Sequence, residues 1–208
     1  MLLCDIGNTS YHFLDGNKSY KKSVLDFNPQ EITQKVYFIS VNVKVKQKLS
    51  SLKNWIDLES LVNMSKYYKS MGIDRIFAVE ATSNAIVIDA GSAITVDVVR
   101  EGKFMGGFIY PGVKAMNNAY KNISSALSYE FNFDLDLTTL PKNSQDAISY
   151  GFFKTLYSEV TSYNLPIVLT GGYAQELKKI FIDAIIDENL IFSGMKKIIE
   201  EKSYFNNS

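Results

Sequence analysis

One short pattern occurs twice in this chain. Leu3-Cys4-Asp5-Ile6-Gly7-Asn8-Thr9 and Val87-Ile88-Asp89-Ala90-Gly91-Ser92-Ala93 each read strand, Asp, one residue, Gly, small polar residue, small residue, then further strand. Two copies of a strand-turn-strand unit predict two similarly built half-domains. The length, 208 residues, suits one large domain or two small ones. The pattern shifts between Ala81 and Ala85, which sets lobes at 1–82 and 83–208.

Periodicity fills in both halves. Leu2 to Ile6, Tyr11 to Leu14 and a more polar strand after Asp15-Gly16-Asn17 read as consecutive hairpin strands. Val36 to Val41 has the β-branched and aromatic composition of a buried strand. Lys44 to Leu52 reads as an exposed helix, Trp55 to Leu58 as a short strand, and Ile76 to Ala81 as a helix starting near Asp74. The second half repeats the order. Strands are predicted at Ile86 to Asp89, Ile94 to Val99 and Phe104 to Tyr110. A helix follows Pro111, and another runs from about Ser144 to Tyr163 with Ile148, Phe152, Leu156 and Val160 four apart. Pro166 to Leu169 is a short strand, Gly171-Gly172 opens a helix carrying Leu177 and Phe181, and a helix closes the chain over Ile191 to Lys202. The class is α/β.

Composition excludes several functions. Basic and acidic residues number 22 each, which argues against a general nucleic-acid binder or a polybasic membrane-surface protein. No run approaches the roughly 18 apolar residues of a membrane span. The start, Met-Leu-Leu-Cys-Asp, lacks the basic region of a signal peptide, so the cytoplasm is the simplest compartment. The one cysteine, Cys4, lies in an apolar run and reads as a buried strand residue. The one histidine, His12, lies on a predicted strand with a structural role, and leaves little material for His-rich metal sites or Ser-His-Asp hydrolysis.

The chemistry concentrates in a few loops. Asp5 at a strand end can engage Mg²⁺, Gly7 permits a tight turn with inward N–H groups, and Asn8 and Thr9 add polar groups; an ordinary hairpin turn uses the same residue types. Asp89, Gly91 and Ser92 repeat the choice. As a pair, two such loops can clamp one polyphosphate. In Gly72-Ile73-Asp74-Arg75, Asp74 either caps a helix or takes a proton from a substrate hydroxyl, with Arg75 holding a negative group. Gly106 and Gly107 in a strand mark a bulge or a ligand brought close to the backbone. Gly171 and Gly172 form a strand-to-helix turn, or aim backbone donors at a nucleotide.

The order of these motifs resembles the type III pantothenate kinases over nearly the whole chain. The motifs are Asp5-x-Gly7-Asn8-Thr9, Gly72-x-Asp74-Arg75, Asp89-x-Gly91-Ser92-Ala93-x-Thr95, Gly106-Gly107-x-Ile109-x-Pro111-Gly112 and Thr170-Gly171-Gly172. The resemblance implies an actin-like ATPase fold of two ribonuclease-H-like lobes, each a mixed sheet with flanking helices. It implies transfer of the ATP γ-phosphate to the 4′-hydroxyl of pantothenate, the first step of coenzyme A synthesis. On that reading Asp74 is the general base. Asp5 and Asp89 serve the metal, and Gly7, Asn8, Thr9, Gly91 and Ser92 the phosphates. Gly171 and Gly172 lie near the adenosine. Gly72, Arg75, Gly106, Gly107 and Gly112 serve pantothenate, and the family's Tyr-bearing substrate segment falls at Tyr67 or Tyr68, with Tyr68 assigned. Ser144, in Asn143-Ser144-Gln145-Asp146, reaches the pantothenate of the second subunit of a homodimer. A monovalent cation, K⁺ or NH₄⁺, accompanies Mg²⁺ and ATP. Two further readings are an actin-like-fold kinase for another small hydroxyl compound and a non-catalytic regulatory relative.

Overall fold

The computed structural model describes residues 1–206, with side chains through residue 202. The chain divides into two units: Met1–Thr82 with the closing helix from Asn189, and Ser83–Glu188. In the first unit the strands are β1 (Leu2–Ile6), β2 (Ser10–Asp15), β3 (Lys18–Ser23), β4 (Val36–Ser40) and β5 (Trp55–Asp57). In the second they are β6 (Ala85–Ala90), β7 (Ala93–Arg100), β8 (Lys103–Pro111), β9 (Ile167–Thr170) and β10 (Ile185–Ile186).

The two sheets share one topology. The first has the order β3-β2-β1-β4-β5, and the second, read from the same side, β8-β7-β6-β9-β10. In each, the first three strands form antiparallel hairpins, and the last two run parallel to the first. The duplication read in two seven-residue segments therefore extends to a whole sheet. The two-residue β10 lies below the length at which periodicity signals a strand, and only its pairing with β9 reveals it.

Helices supply the flanks. The first unit holds α1 (Val43–Leu49) and α2 (Ile73–Glu80); the second holds α3 (Val113–Ile123), α4 (Ser144–Ser162) and α5 (Ala174–Ile180). Asn42 caps α1 by accepting the Val45 N–H at 3.1 Å, and Asn143 caps α4 by accepting the Asp146 N–H at 2.9 Å. The helix expected over Lys44 to Leu52 is shorter and less exposed than its lysines suggest, because Val45 and Leu49 turn inward. Among the described residues no helix is long and apolar enough to cross a membrane.

The closing helix, α6 (Leu190–Asn206), corrects the expected boundary. By chain order it belongs to the lobe 83–208; in the structure it packs in the first unit. Gly194 carries the contact: a Cβ there would fall on the Phe77 carbonyl of α2, with the carbonyl carbon 2.8 Å away. Phe192 sets its ring edge-on to His12 at 4.9 Å, and His12 Nε2 lies 2.7 Å from Ser19 Oγ, a structural setting for the one histidine.

Alternation along the strands sets the cores. Leu2, Cys4 and Ile6 join Tyr11, Phe13, Phe38 and Trp55 on one face of the first sheet. Ile86, Ile88 and Ala90 join Ile94, Val96 and Val98 beneath Phe152, Phe153 and Leu156 of α4. Burying each large apolar side chain contributes about 1.5–3 kcal/mol. Burial also pushes the Cys4 thiol well up, with the Asp5 charge adding to it, so Cys4 is packing material rather than a nucleophile.

Candidate functional site

Period-two alternation places the two repeated acids alike. Asp5 is the penultimate residue of β1 and Asp89 of β6. Because their even-numbered neighbours face the cores, both carboxylates lie on the opposite sheet face. Both acids are half-buried, and the turn residues Asn8, Thr9 and Ser92 are exposed. In each turn the glycine N–H closes the bend: Gly7 to the Ser10 carbonyl and Gly91 to the Ala93 carbonyl, both at 3.0 Å. The second bend is one residue tighter, since Ile6 pairs with Tyr11 whereas Ala90 pairs with Ile94. His12 therefore stands opposite Asp5, and Thr95 opposite Asp89.

Two glycines grip the second bend. Gly171, at φ +87°, follows β9; a Cβ there would meet the Asp89 carboxylate and the Ala90 backbone at 2.8 Å. A Cβ on Gly112 would meet the Ser92 carbonyl carbon at 2.6 Å and the Gly91 oxygen at 2.9 Å. The Tyr173 N–H donates to the Ala90 carbonyl at 3.0 Å. Both glycines thus let backbone pack on backbone, holding Asp89 to Ser92 in one shape. Gly172 has open space around it. Gly106, at φ +131°, adjoins an irregularity in the register between β7 and β8, as a strand glycine at a bulge should. Gly106 and Gly107 also line an open cavity of about 630 Å³ with Met105, Phe108, Glu159 and Tyr163.

The third site is the start of α2. Gly72 is the N-cap residue and gives no side-chain cap. Asp74, in the first turn, accepts the Arg75 N–H at 2.8 Å. Asp74 is therefore not the cap that one sequence reading allowed; its carboxylate bonds backbone within the first turn of the helix, beside an arginine. Burial pushes the Asp74 carboxyl above its ordinary range; its backbone hydrogen bonds and the Arg75 charge only partly oppose this. Gly72 makes room for it, because a Cβ there would stand 2.5 Å from Asp74 Oδ1. Arg75 is buried, and its Nη1 donates to the Tyr68 hydroxyl at 2.5 Å. A cavity of about 340 Å³ opens beside Gly72, lined by Ser40, Lys46, Glu59, Met71 and Ile73. Lys46 is bound there by Asp57 at 2.9 Å and by Glu59.

The two candidate tyrosines have different partners. Tyr68 reaches Arg75, while the Tyr67 hydroxyl donates to Glu80 at 2.5 Å. Glu80, the last residue of α2, is buried and also binds Lys66 at 3.3 Å and Lys197 of α6 at 3.2 Å. Sequence reasoning missed this group. Its only signal was an acid on an apolar helix, where α2 is buried at Ile76, Phe77 and Val79. Ser144 is the first residue of α4 and exposed, with Asn143 rather than Ser144 supplying the cap.

Comparison with known proteins identifies the family. The model of the type III pantothenate kinase family matches residues 40–164. The type III pantothenate kinase of Sulfurimonas denitrificans is 59% identical over 201 residues, covering 97% of this chain and 98% of that one. That of Campylobacter jejuni subsp. jejuni is 42% identical over 203 residues, covering 97% of each. Among solved structures, a Campylobacter jejuni protein named as a Baf family transcriptional activator has TM-score 0.87 and 39% identity, covering 98% of this chain and 100% of that one. A protein from Sinorhizobium meliloti named as a 2-dehydro-3-deoxygalactonokinase has TM-score 0.55 at 8% identity, with 96% of each covered, and shows the fold alone. That fold, with its duplicated mixed sheets, is the actin-like ATPase fold. By family model and by identity over nearly its full length, the chain belongs to the type III pantothenate kinase family.

Proposed function

We propose that this chain transfers the γ-phosphoryl group of ATP to the 4′-hydroxyl of pantothenate, with Asp74 as general base. The observation that carries the reading is Asp74 itself, a carboxylate raised by burial beside a buried arginine, at a helix start whose Gly72 and Ile73 line a cavity. A carboxylate raised above its ordinary range is, once ionised, a better proton acceptor than an ordinary one. Phosphoryl transfer asks the protein mainly for positioning and charge neutralisation. Arg75 orients the pantothenate carboxylate by its fixed fork of donors, Tyr68, Gly72, Gly106 and Gly107 add further acceptor contacts, and Ser144 reaches the pantothenate of the second subunit. Gly7, Asn8, Thr9, Gly91 and Ser92 offer donors to phosphate oxygens, and Gly171 and Gly172 border the adenosine.

Asp5 and Asp89 suit Mg²⁺ and a monovalent cation. Each is a half-buried carboxylate next to a turn. Among the described residues no cluster of three or more metal-ligating side chains forms, and Mg²⁺ bound through one or two carboxylates plus substrate phosphates requires none. When bound, the cation neutralises charge on the transferring phosphoryl group. A homodimer in the cytoplasm completes the reading, supported by family membership.

The test is ADP release on adding pantothenate to enzyme and ATP, with Mg²⁺ and with K⁺ or NH₄⁺ varied. Turnover of another hydroxyl compound in place of pantothenate overturns the acceptor assignment. The name given to the Campylobacter jejuni structure supports a second reading, a transcriptional activator. With basic and acidic residues balanced at 22 each, the chain brings no net positive charge to DNA. ATP binding without ADP release for any acceptor would select that role.

A further inference from the structure

The buried carboxylate of Glu80 stands where helix physics disfavours it. It ends α2, where the helix dipole repels an acid, and its side chain is 9% exposed. Burial alone would push it up. The Tyr67 hydroxyl, Lys197 and Lys66 outweigh burial and hold it below its ordinary range. Tyr67 in turn is pushed far up by burial and by Glu80, so its hydroxyl stays a donor throughout the working pH range. A buried ionic cluster is a poor way to gain stability, since apolar side chains of similar volume often serve as well. What it does is fix one geometry.

The geometry concerns the substrate segment. Tyr67 is extended, at φ −129° and ψ 161°, and leads directly into Tyr68. One hydroxyl reaches Glu80 and the other receives Arg75. Arg75 and Glu80 are five positions apart on α2, about 7.5 Å along the axis. The dipeptide is therefore clipped to the helix at two points, and the Glu80 clip sets where Tyr68 can meet the guanidinium.

We propose that Glu80 is a positioning residue for the kinase reaction, acting through the Tyr67 hydroxyl to hold Tyr68 against Arg75 and so to shape the pantothenate contact. This rests on the reading that Arg75 and Tyr68 touch pantothenate. Lys197 ties α6 to the same carboxylate, by its side chain and by a 2.8 Å bond to the Glu80 carbonyl, and serves stability rather than position.

Four variants test this by steady-state kinetics with each substrate varied, alongside thermal unfolding. Tyr67→Phe is expected to raise KM for pantothenate on the order of tenfold, the scale of one hydrogen bond to a charged group. KM for ATP should stay within about twofold, since uniform acceptor binding is what is lost. Glu80→Gln keeps an oxygen that accepts the Tyr67 hydroxyl, so it should retain KM for pantothenate while unfolding at lower temperature. Lys197→Met should lower stability and leave that KM alone. Arg75→Lys should raise KM for pantothenate. If Arg75→Lys does so and Tyr67→Phe does not, the positioning role is wrong and the substrate assignment stands. If Arg75→Lys leaves KM unchanged, the substrate assignment falls and the positioning role falls with it. A Tyr67→Phe protein that loses kcat, both KM values and stability together reduces Glu80 to structure and overturns the proposal.

Discussion

Gly72→Ala separates activity from stability at one atom. The backbone at Gly72, φ −60° and ψ 139°, is open to alanine. The new Cβ would stand 2.5 Å from Asp74 Oδ1, about 0.9 Å inside the 3.4 Å at which ordinary contacts begin. The obstacle is the end of a side chain rather than backbone, so the carboxylate moves and the helix stays. Moving it stretches the 2.8 Å bond from the Arg75 N–H and takes the base off line. A displacement near 1 Å costs roughly 100-fold in rate, or about 2.7 kcal/mol of barrier. Stability should hardly change. Alanine gains about 0.4–1 kcal/mol by restricting the unfolded chain, and its poorer fit at an N-cap takes back about as much. For a chain of this size the unfolding temperature should move by no more than about 3 °C. Pantothenate-dependent ADP release and thermal unfolding are the two assays. Near-normal kcat would refute the placement of the base. A large drop in unfolding temperature would show that the backbone yields instead, which refutes the steric argument.

Three further outcomes follow from the same geometry. Asp74→Asn should lose about 10²–10⁴ in kcat with the fold intact. Because the folded state raises this acid, the stability tied to its protonated form is present in acid and lost as pH rises through the raised value. Asp74→Asn should therefore unfold at higher temperature than wild type at neutral pH, with the gap closing in acid, and wild-type turnover should fall as pH drops through the same value; equal melting at neutral pH would contradict it. Gly171→Ala combines φ +87° with a backbone clash against Ala90 and should cost about 2 kcal/mol or more, read by denaturant unfolding; a silent substitution would show that the second bend is not gripped there. Glu80 is held below its ordinary value, so its contribution is present above the ordinary carboxylate range and lost as pH falls through the lowered one. Glu80→Gln should flatten that part of the acid-unfolding curve, and an unchanged acid limb would argue against the cluster.

How much of this was legible depended on whether the controlling contact was local. The two Asp-Gly bends are local hairpins, so sequence gave their residues and the alternation that puts Asp5 and Asp89 on one kind of face. The likeness of the two halves followed from the same pattern, while the strand order came only with the structure. The one-residue difference between the bends did not, because it lies in which return residue pairs, Tyr11 after Ile6 but Ile94 after Ala90. The closing helix was found but assigned to the wrong unit, since nothing in its own residues says that Gly194 meets the Phe77 carbonyl. Glu80 was invisible for the same reason: its partners come from positions 66, 67 and 197.

The glycines sharpen the point. In the sequence, Gly171 reads as a turn or a nucleotide contact, and the family resemblance implies that Gly72 and Gly112 serve pantothenate. In the structure each has a more immediate neighbour: the Asp74 carboxylate, the Ser92 carbonyl, and Asp89 with Ala90. Two of the three therefore stand where a side chain would displace an acid, and the third where it would displace the bend that follows one. A motif that spells glycine beside aspartate is thus physically one device. The acid supplies the charge, and the missing Cβ supplies the place in which that charge can be held half out of water. Substituting Gly72 should imitate substitution of the acid it shelters, in kinetics more than in stability, whereas Gly171 and Gly112 meet backbone and act through the shape of the bend. Gly72→Ala and Asp74→Asn accordingly form a pair, expected to agree in the direction of kcat while differing in melting temperature, because only the second removes the buried charge.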